Sequence, residues 1–392
     1  MTLHSGDRVE AANSLSDGTN DDRIIACSFN LASLSDPLEY EALSYVWGDP
    51  KDLSPISLEG HQFPLTKNLR YALLHLQRET EERVPCVDAL CINQGSMDER
   101  GSQVAQMQQH ICGSASMVVA FLGEGWGGAE TAVNYIERVG SDPNLHIDPA
   151  FDLHAQCHVL NIRSPLLYAH LHRFYYLPWF TRIWTVQKFV LACEIIFVCG
   201  QRPIHGTVLQ DFMANMIMHT RHCCDTILPA MTDMTNLIAL KYTLEKIGSA
   251  MHFNICLGKG TSYVDFILLL VSLKLYDSFD LRDRMYGLLS LVELELQRRM
   301  LPNHNITVAE VYTGVVTHII DITKSLDILS CITWSKERPH DLPSFVPDWS
   351  SHTNRTEQTT YVSRLASTFS GNCMAWHSSR LPTKSLRTPS AT

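Results

Sequence analysis

Polar side chains crowd the end of one apolar run: Asp88, Asn93 and Gln94 lie within Cys86-Val87-Asp88-Ala89-Leu90-Cys91-Ile92-Asn93-Gln94, with Asp98-Glu99-Arg100 just beyond. This set suits nucleotide or sugar chemistry. A carboxylate such as Asp88 or Glu99 stabilises positive charge developing on a sugar ring, an effect that is large where water is excluded. The amides of Asn93 and Gln94 supply both donor and acceptor for ribose hydroxyls. Arg100 offers a bidentate fork for phosphate. Arg182, between Trp179 and Trp184, can stack on an indole or reach Asp88. A plainer reading competes for every residue. Asp88 and Asn93 brace a loop, Glu99 completes a capping box with Ser96, and Arg100 pairs with Glu99 or Asp98. Two Trp and a Phe this close are also common as core anchors.

Those residues need a scaffold. Val84, Val87, Leu90 and Ile92 read as a strand buried on both faces, with Asp88 in its middle and a turn at Gly95-Ser96. A charge inside such a strand requires a partner. Upstream, Arg23 to Asn30 is a weak strand and Tyr40 to Gly48 a better one, ended by Gly48-Asp49-Pro50. Ile56 to Leu65 has the alternation and Glu59-Gly60 turn of a hairpin. Thr66 is placed to cap a helix with Leu69, Leu73, Leu74 and Leu76 on one face. Ser96 opens a further helix through Val104, Met107 and Ile111, Met117 to Leu122 is another buried strand, and the glycine-rich 123–128 loop precedes a helix from Ala129. Strands alternating with helices at these lengths predict a parallel sheet wrapped by helices.

After a loop-rich stretch, Asp142 to Pro165, comes the aromatic block Phe174 to Lys188, then a short strand at Ile195 to Cys199. From His205 onward the periodicity is helical, over 208–220, 226–248, 263–275 and 284–297, and Thr307 with Glu310 forms a second capping box. From about Ser351 the chain turns Ser/Thr-rich and polar.

Composition narrows the function classes. The chain has 392 residues, 45% hydrophobic and 18% charged, with a formal net charge of −10. No Lys/Arg run stands out, which argues against binding to nucleic acid or an anionic membrane. Met1 to Asp22 has no apolar core of a signal peptide, and Tyr263 to Leu275 is too short and too interrupted to span a bilayer. The twelve cysteines are scattered, mostly inside apolar runs, as free thiols in a reducing compartment are. A cytoplasmic protein is expected.

Several segments together resemble a family. Tyr40-Glu41-Ala42-Leu43-Ser44-Tyr45-Val46-Trp47-Gly48 is similar to the opening motif of the fungal heterokaryon-incompatibility (HET) domain. Val87 to Gln94, with Glu99-Arg100 and Met107, resembles its second motif, and Ala115 to Gly123 the following strand. Trp179 to Gln187, with Leu191-Ala192, resembles its third. Asp280 to Leu289 and Leu342 to Ser350 resemble the helical continuation that accompanies the domain. The resemblance implies a role in fungal non-self recognition, in which fusion of incompatible hyphae triggers cell death. It also implies a distant similarity to TIR domains, with their flavodoxin-like parallel sheet; some of those cleave NAD with a glutamate and others act as assembly adaptors. One departure is plain. The family's third motif has Gln-Glu where this chain has Gln187-Lys188.

Other patterns fail. Gly258-Lys259-Gly260-Thr261-Ser262 lacks the earlier glycine of a phosphate loop. The groups His154, Cys157, His158, His170, His172 and His222, Cys223, Cys224 lack the paired spacing of a zinc site. No Gly-x-Ser-x-Gly elbow is present.

The expectation is therefore a disordered leader over 1–22, an α/β HET domain with a TIR/flavodoxin-like parallel sheet over 23–203 (core motifs 40–193), a mostly helical region over 204–350, and a polar, disordered tail over 351–392. The expected function is a cell-death effector or signalling module acting by assembly with itself or a protein partner, with no metal and no cofactor. The alternatives are NAD cleavage, with catalytic Asp88 and Glu99 and with Asn93, Gln94, Arg100 and Arg182 holding the nucleotide, and a degenerate or truncated relative.

Overall fold

The structure is a computed structural model that describes residues 2–3, 25–30, 39–78, 82–93, 95–96, 99, 101, 113–145, 165–222, 263–274, 276–332, 338–339 and 341–350. Its centre is a five-stranded sheet. In chain order the elements up to it are β1 (Thr2–Leu3), β2 (Ala26–Ser28), β3 (Glu41–Ser44), β4 (Leu53–Leu58), β5 (His61–Thr66), α1 (Lys67–Leu76), β6 (Pro85–Cys86), α2 (Asp88–Cys91) and β7 (Met117–Gly123). Then follow α3 (Ala129–Ser141), α4 (Pro165–Tyr175), a 3₁₀ turn at Pro178–Thr181, α5 (Ile183–Leu191), β8 (Ile195–Cys199), β9 (Arg202–His205) and α6 (Gly206–His222).

Strands lie in the order β6-β3-β7-β8-β9, parallel except for β8 against β9. The parallel members thus run second-first-third-fourth in chain order, and the direction of winding reverses between β3 and β7. In such sheets the crevice beyond the carboxyl ends at the reversal is the ligand-binding position.

β7 shows why the sheet is buried on both faces. Its run MVVAFLG sends Val118, Ala120 and Leu122 into one core with α3, α4 and α6, while Val119 and Phe121 enter another. That second core is closed by α1 and a four-stranded sheet in the order β1-β2-β4-β5. The β4–β5 hairpin turns at Glu59 (φ 52°) and Gly60 (φ 77°), the two left-handed residues that suit the twist of paired strands. α3 and α6 approach so closely that a Cβ on Gly140 would lie 2.4 Å from the Val208 carbonyl oxygen.

The remaining helices are α7 (Tyr263–Ser272), α8 (Asp283–Leu289), α9 (Leu294–Arg299) and α10 (Val308–Thr323), with a 3₁₀ turn at Asp327–Cys331. They share a third core with Trp349, Val346 and two residues of α5, Ile183 and Val186. α5 also places Phe189 in the core of the central sheet. One helix thereby joins both. The predicted capping box opens α10: Glu310 N–H donates to Thr307 Oγ1 (3.2 Å), and Thr307 N–H to Glu310 Oε2 (2.7 Å).

Several expectations need correction. The strand predicted over Val84 to Ile92 is only β6, an edge strand of two residues, and Asp88 begins a helical turn instead. Asp88 Oδ1 accepts the Ala89 N–H at 2.8 Å, and the Val87 carbonyl accepts from Leu90 and Cys91. A side chain that takes a backbone donor in this way draws the chain out of a ladder and into a turn. Thr66 closes β5 and precedes α1 without a side-chain cap bond. Thr2–Leu3, expected within a disordered leader, pairs antiparallel with β2, whose backbone is otherwise open on that edge. The helix predicted from Ser96 to about 114, the 226–248 helix, the glycine-lysine segment at 258–262 and the tail from Ser351 fall largely or wholly outside the described residues.

Candidate functional site

The carboxyl ends of β3 and β6 bring the first and second motifs together, and α5 brings the third onto them. Ser44, fully buried at the end of β3, accepts a hydrogen bond from the indole of Trp179 at 2.9 Å. Pro178 starts the 3₁₀ turn that carries Trp179, and Thr185 Oγ1 donates to the Trp179 carbonyl at 2.9 Å, fixing that turn to α5. Tyr45 follows on the opposite face, its phenol buried against Asp88. Burial first, and then the Asp88 charge, hold its pKa well above the ordinary value, while Arg182 pulls it the other way.

Asp88 itself faces α5. Its Oδ2 lies 3.5 Å from Lys188 Nζ, with side-chain exposures of 18% for Asp88 and 9% for Lys188. The lysine that departs from the family's pattern is therefore the counter-ion of the central aspartate. A glutamate at 188 on the same path would set two carboxylates against each other. Arg182 sits at the N-cap of α5, half-buried, and its carbonyl receives Thr185 Oγ1 at 2.7 Å. Its guanidinium acts on the Tyr45 phenol by charge.

Glu99 is placed differently. Its Oε1 accepts the Asn93 N–H at 2.9 Å, and its own N–H donates to Ser96 Oγ at 3.2 Å. Half of the expected capping box is present, with the carboxylate diverted to Asn93. Asn93 Oδ1 accepts the Gly95 N–H at 3.1 Å, a local turn. Gln94, Asp98 and Arg100 lie outside the described residues. Of the candidate set, the structure thus groups Asp88 and Arg182 with Tyr45 and Lys188, and groups Glu99 with Asn93 in the following loop.

Two cysteines flank Asp88. Cys86 ends β6 and Cys91 ends α2, one turn later in the chain. The influence of each thiol on the other, ahead of burial, favours the protonated form of Cys86 and lowers Cys91 to about 6. Among the described residues no group of three or more His, Cys, Asp or Glu is arranged to hold a metal ion. No described helix is long and apolar enough to cross a membrane.

The third motif also reaches the helical region. Trp184 Nε1 donates to Asp283 Oδ2 at 3.1 Å, and Asp283 Oδ1 lies 3.0 Å from His304 Nε2. Ser290 Oγ donates to Gln187 Oε1 at 3.0 Å. Arg284 donates to the carbonyls of Lys274 and Trp349. Arg282 pairs with Asp280 at 2.6 Å. Asp348 accepts the Ser350 N–H at 2.9 Å.

Residues 40–188 match the family model described as Heterokaryon incompatibility protein (HET). That stretch of the chain is similar to the HET domain. The chain is 27% identical over 388 residues to heterokaryon incompatibility protein 6, OR allele, of Neurospora crassa, an alignment covering 85% of this chain and 56% of that protein. The chain thus spans little more than half the length of that relative. No solved structure matches. The HET-domain match ends at Lys188, inside α5, so the matched stretch includes both members of the Asp88–Lys188 pair.

Sequence alone did not single out Tyr45, or Cys86 with Cys91, as site residues. For Tyr45 a signal existed: a phenol directly after a buried strand, at the sheet end where ligands bind. For Lys188 the signal was its departure from the family's Gln-Glu. Its pairing across a hundred residues with Asp88 had none.

Proposed function

We propose that this chain is an effector or signalling module of fungal non-self recognition and cell death that works by assembly, with itself or a protein partner, rather than by catalysis. One observation carries the reading: both candidate carboxylates already serve the fold. Asp88 is paired with Lys188 and closes its own turn, and Glu99 holds the Asn93 backbone. A carboxylate opposed by a buried ammonium is a weak stabiliser of a cation forming elsewhere. The relative from Neurospora crassa bears the name of an incompatibility protein. The cytoplasm, where hyphal contents mix, is the proposed location, and no cofactor is invoked.

A TIR-like NAD hydrolase is the second reading. The strand order favours it, because a second-first-third-fourth parallel sheet is flavodoxin-like and Tyr45, Asp88 and Arg182 lie where such sheets bind nucleotides. On that reading Asp88 or Glu99 acts on the ribose bond, and Asn93, Gln94, Arg100 and Arg182 hold the dinucleotide. A degenerate relative, inactive through Lys188, is the remaining alternative.

Expression of the chain in a fungal host, with viability and NAD followed together, separates these. The assembly reading expects death with NAD steady until lysis, and retention of killing by Asp88→Asn and Glu99→Gln at equal expression. NAD falling ahead of death, and steady in either variant, overturns it in favour of the hydrolase. Absence of killing by the wild type and by Lys188→Glu, each well expressed, overturns it in favour of the degenerate copy.

A further inference from the structure

Assembly needs a face through which copies meet, and the edges of the two sheets differ in whether they admit a strand. We propose that β1 is an exchangeable strand: Thr2–Leu3 of one copy pairs with β2 of a second copy, in the register it adopts on its own β2. This exchange rests on the assembly reading and gives it a surface and a partner, a second copy of the chain.

Strand addition needs an edge whose N–H and C=O groups face outward. Among the described residues the outermost strands are β1 and β5 of one sheet and β6 and β9 of the other. Three of these four carry a proline whose nitrogen faces the open side. In β5 it is Pro64, opposite Pro55. Two residues without an N–H cannot exchange bonds, so in this antiparallel pair both nitrogens point away from each other. In β9 it is Pro203. That hairpin turns at Gly200 (φ 59°) and Gln201 and closes on the bonded pair Cys199–Arg202, so in the next pair Pro203 turns its nitrogen away from β8. In β6 it is Pro85. Val84 gives its carbonyl to the Glu41 N–H at 3.0 Å, and its neighbour Pro85 therefore faces the other way. A proline so placed removes a donor that an added strand would use.

The fourth edge has no such block. The carbonyls of Ile25 and Cys27 accept from Ser57 and Glu59 at 2.8 and 2.9 Å, so Ala26 and Ser28 present their N–H and C=O on the opposite side, towards β1. Two pairs hold β1 there, Thr2–Ser28 and Leu3–Cys27. β2 is anchored without β1, because Ile25 and Cys27, 1% and 3% exposed, are fixed in the core under the β4–β5 hairpin. Release of β1 thus bares donors and acceptors on a strand that stays in place. The segment that fits this edge is Thr2–Leu3, and a second copy brings the same segment in the same register. Residues 4–24 connect β1 to Ile25, a span of at most ~70 Å when extended, which reaches a neighbouring copy. Exchange of an identical element makes the same strand contacts in one chain or between two, so protein concentration decides between them.

The test uses the full chain and mixes two differently tagged variants, Thr2→Cys and Ser28→Cys, at high concentration under mild oxidation. Paired residues of an antiparallel ladder lie within disulfide reach, so a disulfide between position 2 of one copy and position 28 of the other is expected, identified by tag and peptide mass. Its yield is expected to be about tenfold that of Thr2→Cys mixed with Glu130→Cys, a side chain 75% exposed on α3 that reads random collision. The double variant Thr2→Cys/Ser28→Cys, when dilute, is expected to close within one chain. Closure there with no excess between copies overturns the exchange, and no closure in either experiment overturns the β1–β2 pairing on which it depends. Ser28→Pro, which puts on β2 the block found on the other edges, is expected to keep the wild-type melt and lose concentration-dependent self-association in light scattering. Self-association undiminished in Ser28→Pro overturns the exchange and leaves the assembly reading standing on another face. NAD falling ahead of death overturns the assembly reading instead, while the disulfide between copies still decides the exchange.

Discussion

Two aspartate side chains that face α5, Asp283 and Asp88, are held in opposite ways. Asp283 is bound on both oxygens, by Trp184 at 3.1 Å and His304 at 3.0 Å, with side-chain exposures of 9% for Asp283 and 1% for His304. Asp88 has one ammonium at a looser 3.5 Å, a bond to its own turn, and twice the exposure. Asp283 fastens the helical region to α5. Asp88 occupies the sheet end where a ligand would sit, beside the Tyr45 phenol, and meets α5 through the flexible side chain of Lys188. The difference separates a joint from a site. A carboxylate with two directional partners is fixed by geometry, whereas one opposed by a lysine is neutralised and can be released.

If that contrast holds, loss of Asp283 is the larger injury. Asp283→Ala leaves buried donors on Trp184 and His304 unmet, and is expected to cost ~3–5 kcal/mol in denaturant unfolding. Trp184→Phe keeps most of the packing but removes one bond to a carboxylate, an expected loss of about 2 kcal/mol by the same measurement. Lys188→Glu puts like charge against Asp88 and is expected to cost about 1–2 kcal/mol. Most of that loss should return in the double variant Asp88→Asn/Lys188→Glu, which a thermal melt would show. Asp88→Asn alone keeps the acceptor for Ala89 but takes the counter-charge from Lys188, and is expected to cost about 1–2 kcal/mol. A cost for Asp88→Asn equal to that of Asp283→Ala would erase the distinction between joint and site.

A pH series sharpens the view of the second motif. Cys91 is lowered to about 6, so its thiolate is present above that pH and lost as pH falls through it. Its alkylation rate in the folded chain is expected to level off by about pH 7, while that of an ordinary thiol keeps rising through about pH 8.5. A rate still climbing above pH 8 would show that Cys86 does not favour the Cys91 thiolate.

The sequence made some of this legible. MVVAFLG is apolar at every side-chain-bearing position, and only a strand covered on both faces uses such a run. Glu59-Gly60 between alternating residues specifies a tight hairpin, and Thr307 with Glu310 specifies a helix start. The second motif misled for a physical reason. Val84, Val87, Leu90 and Ile92 mimic a strand, but a helix of four residues is too short to show a period, and one bond from Asp88 Oδ1 to the backbone decides the turn. The site was legible as a place and as a set of residue types. Its wiring was not, because Trp179 with Ser44, Lys188 with Asp88 and Trp184 with Asp283 are contacts between residues about a hundred or more apart.

The double membership of α5 bears on how the protein can be cut. Ile183 and Val186 fill one core and Phe189 another, and the next strands, β8 and β9, complete the sheet. A recombinant piece ending at Lys188, where the family match ends, would sever this helix in its second turn and discard β8, one of the two strands that β7 pairs with. The unit of inheritance recognised in the sequence is smaller than the unit that folds, and expression trials are better begun with the helical region attached.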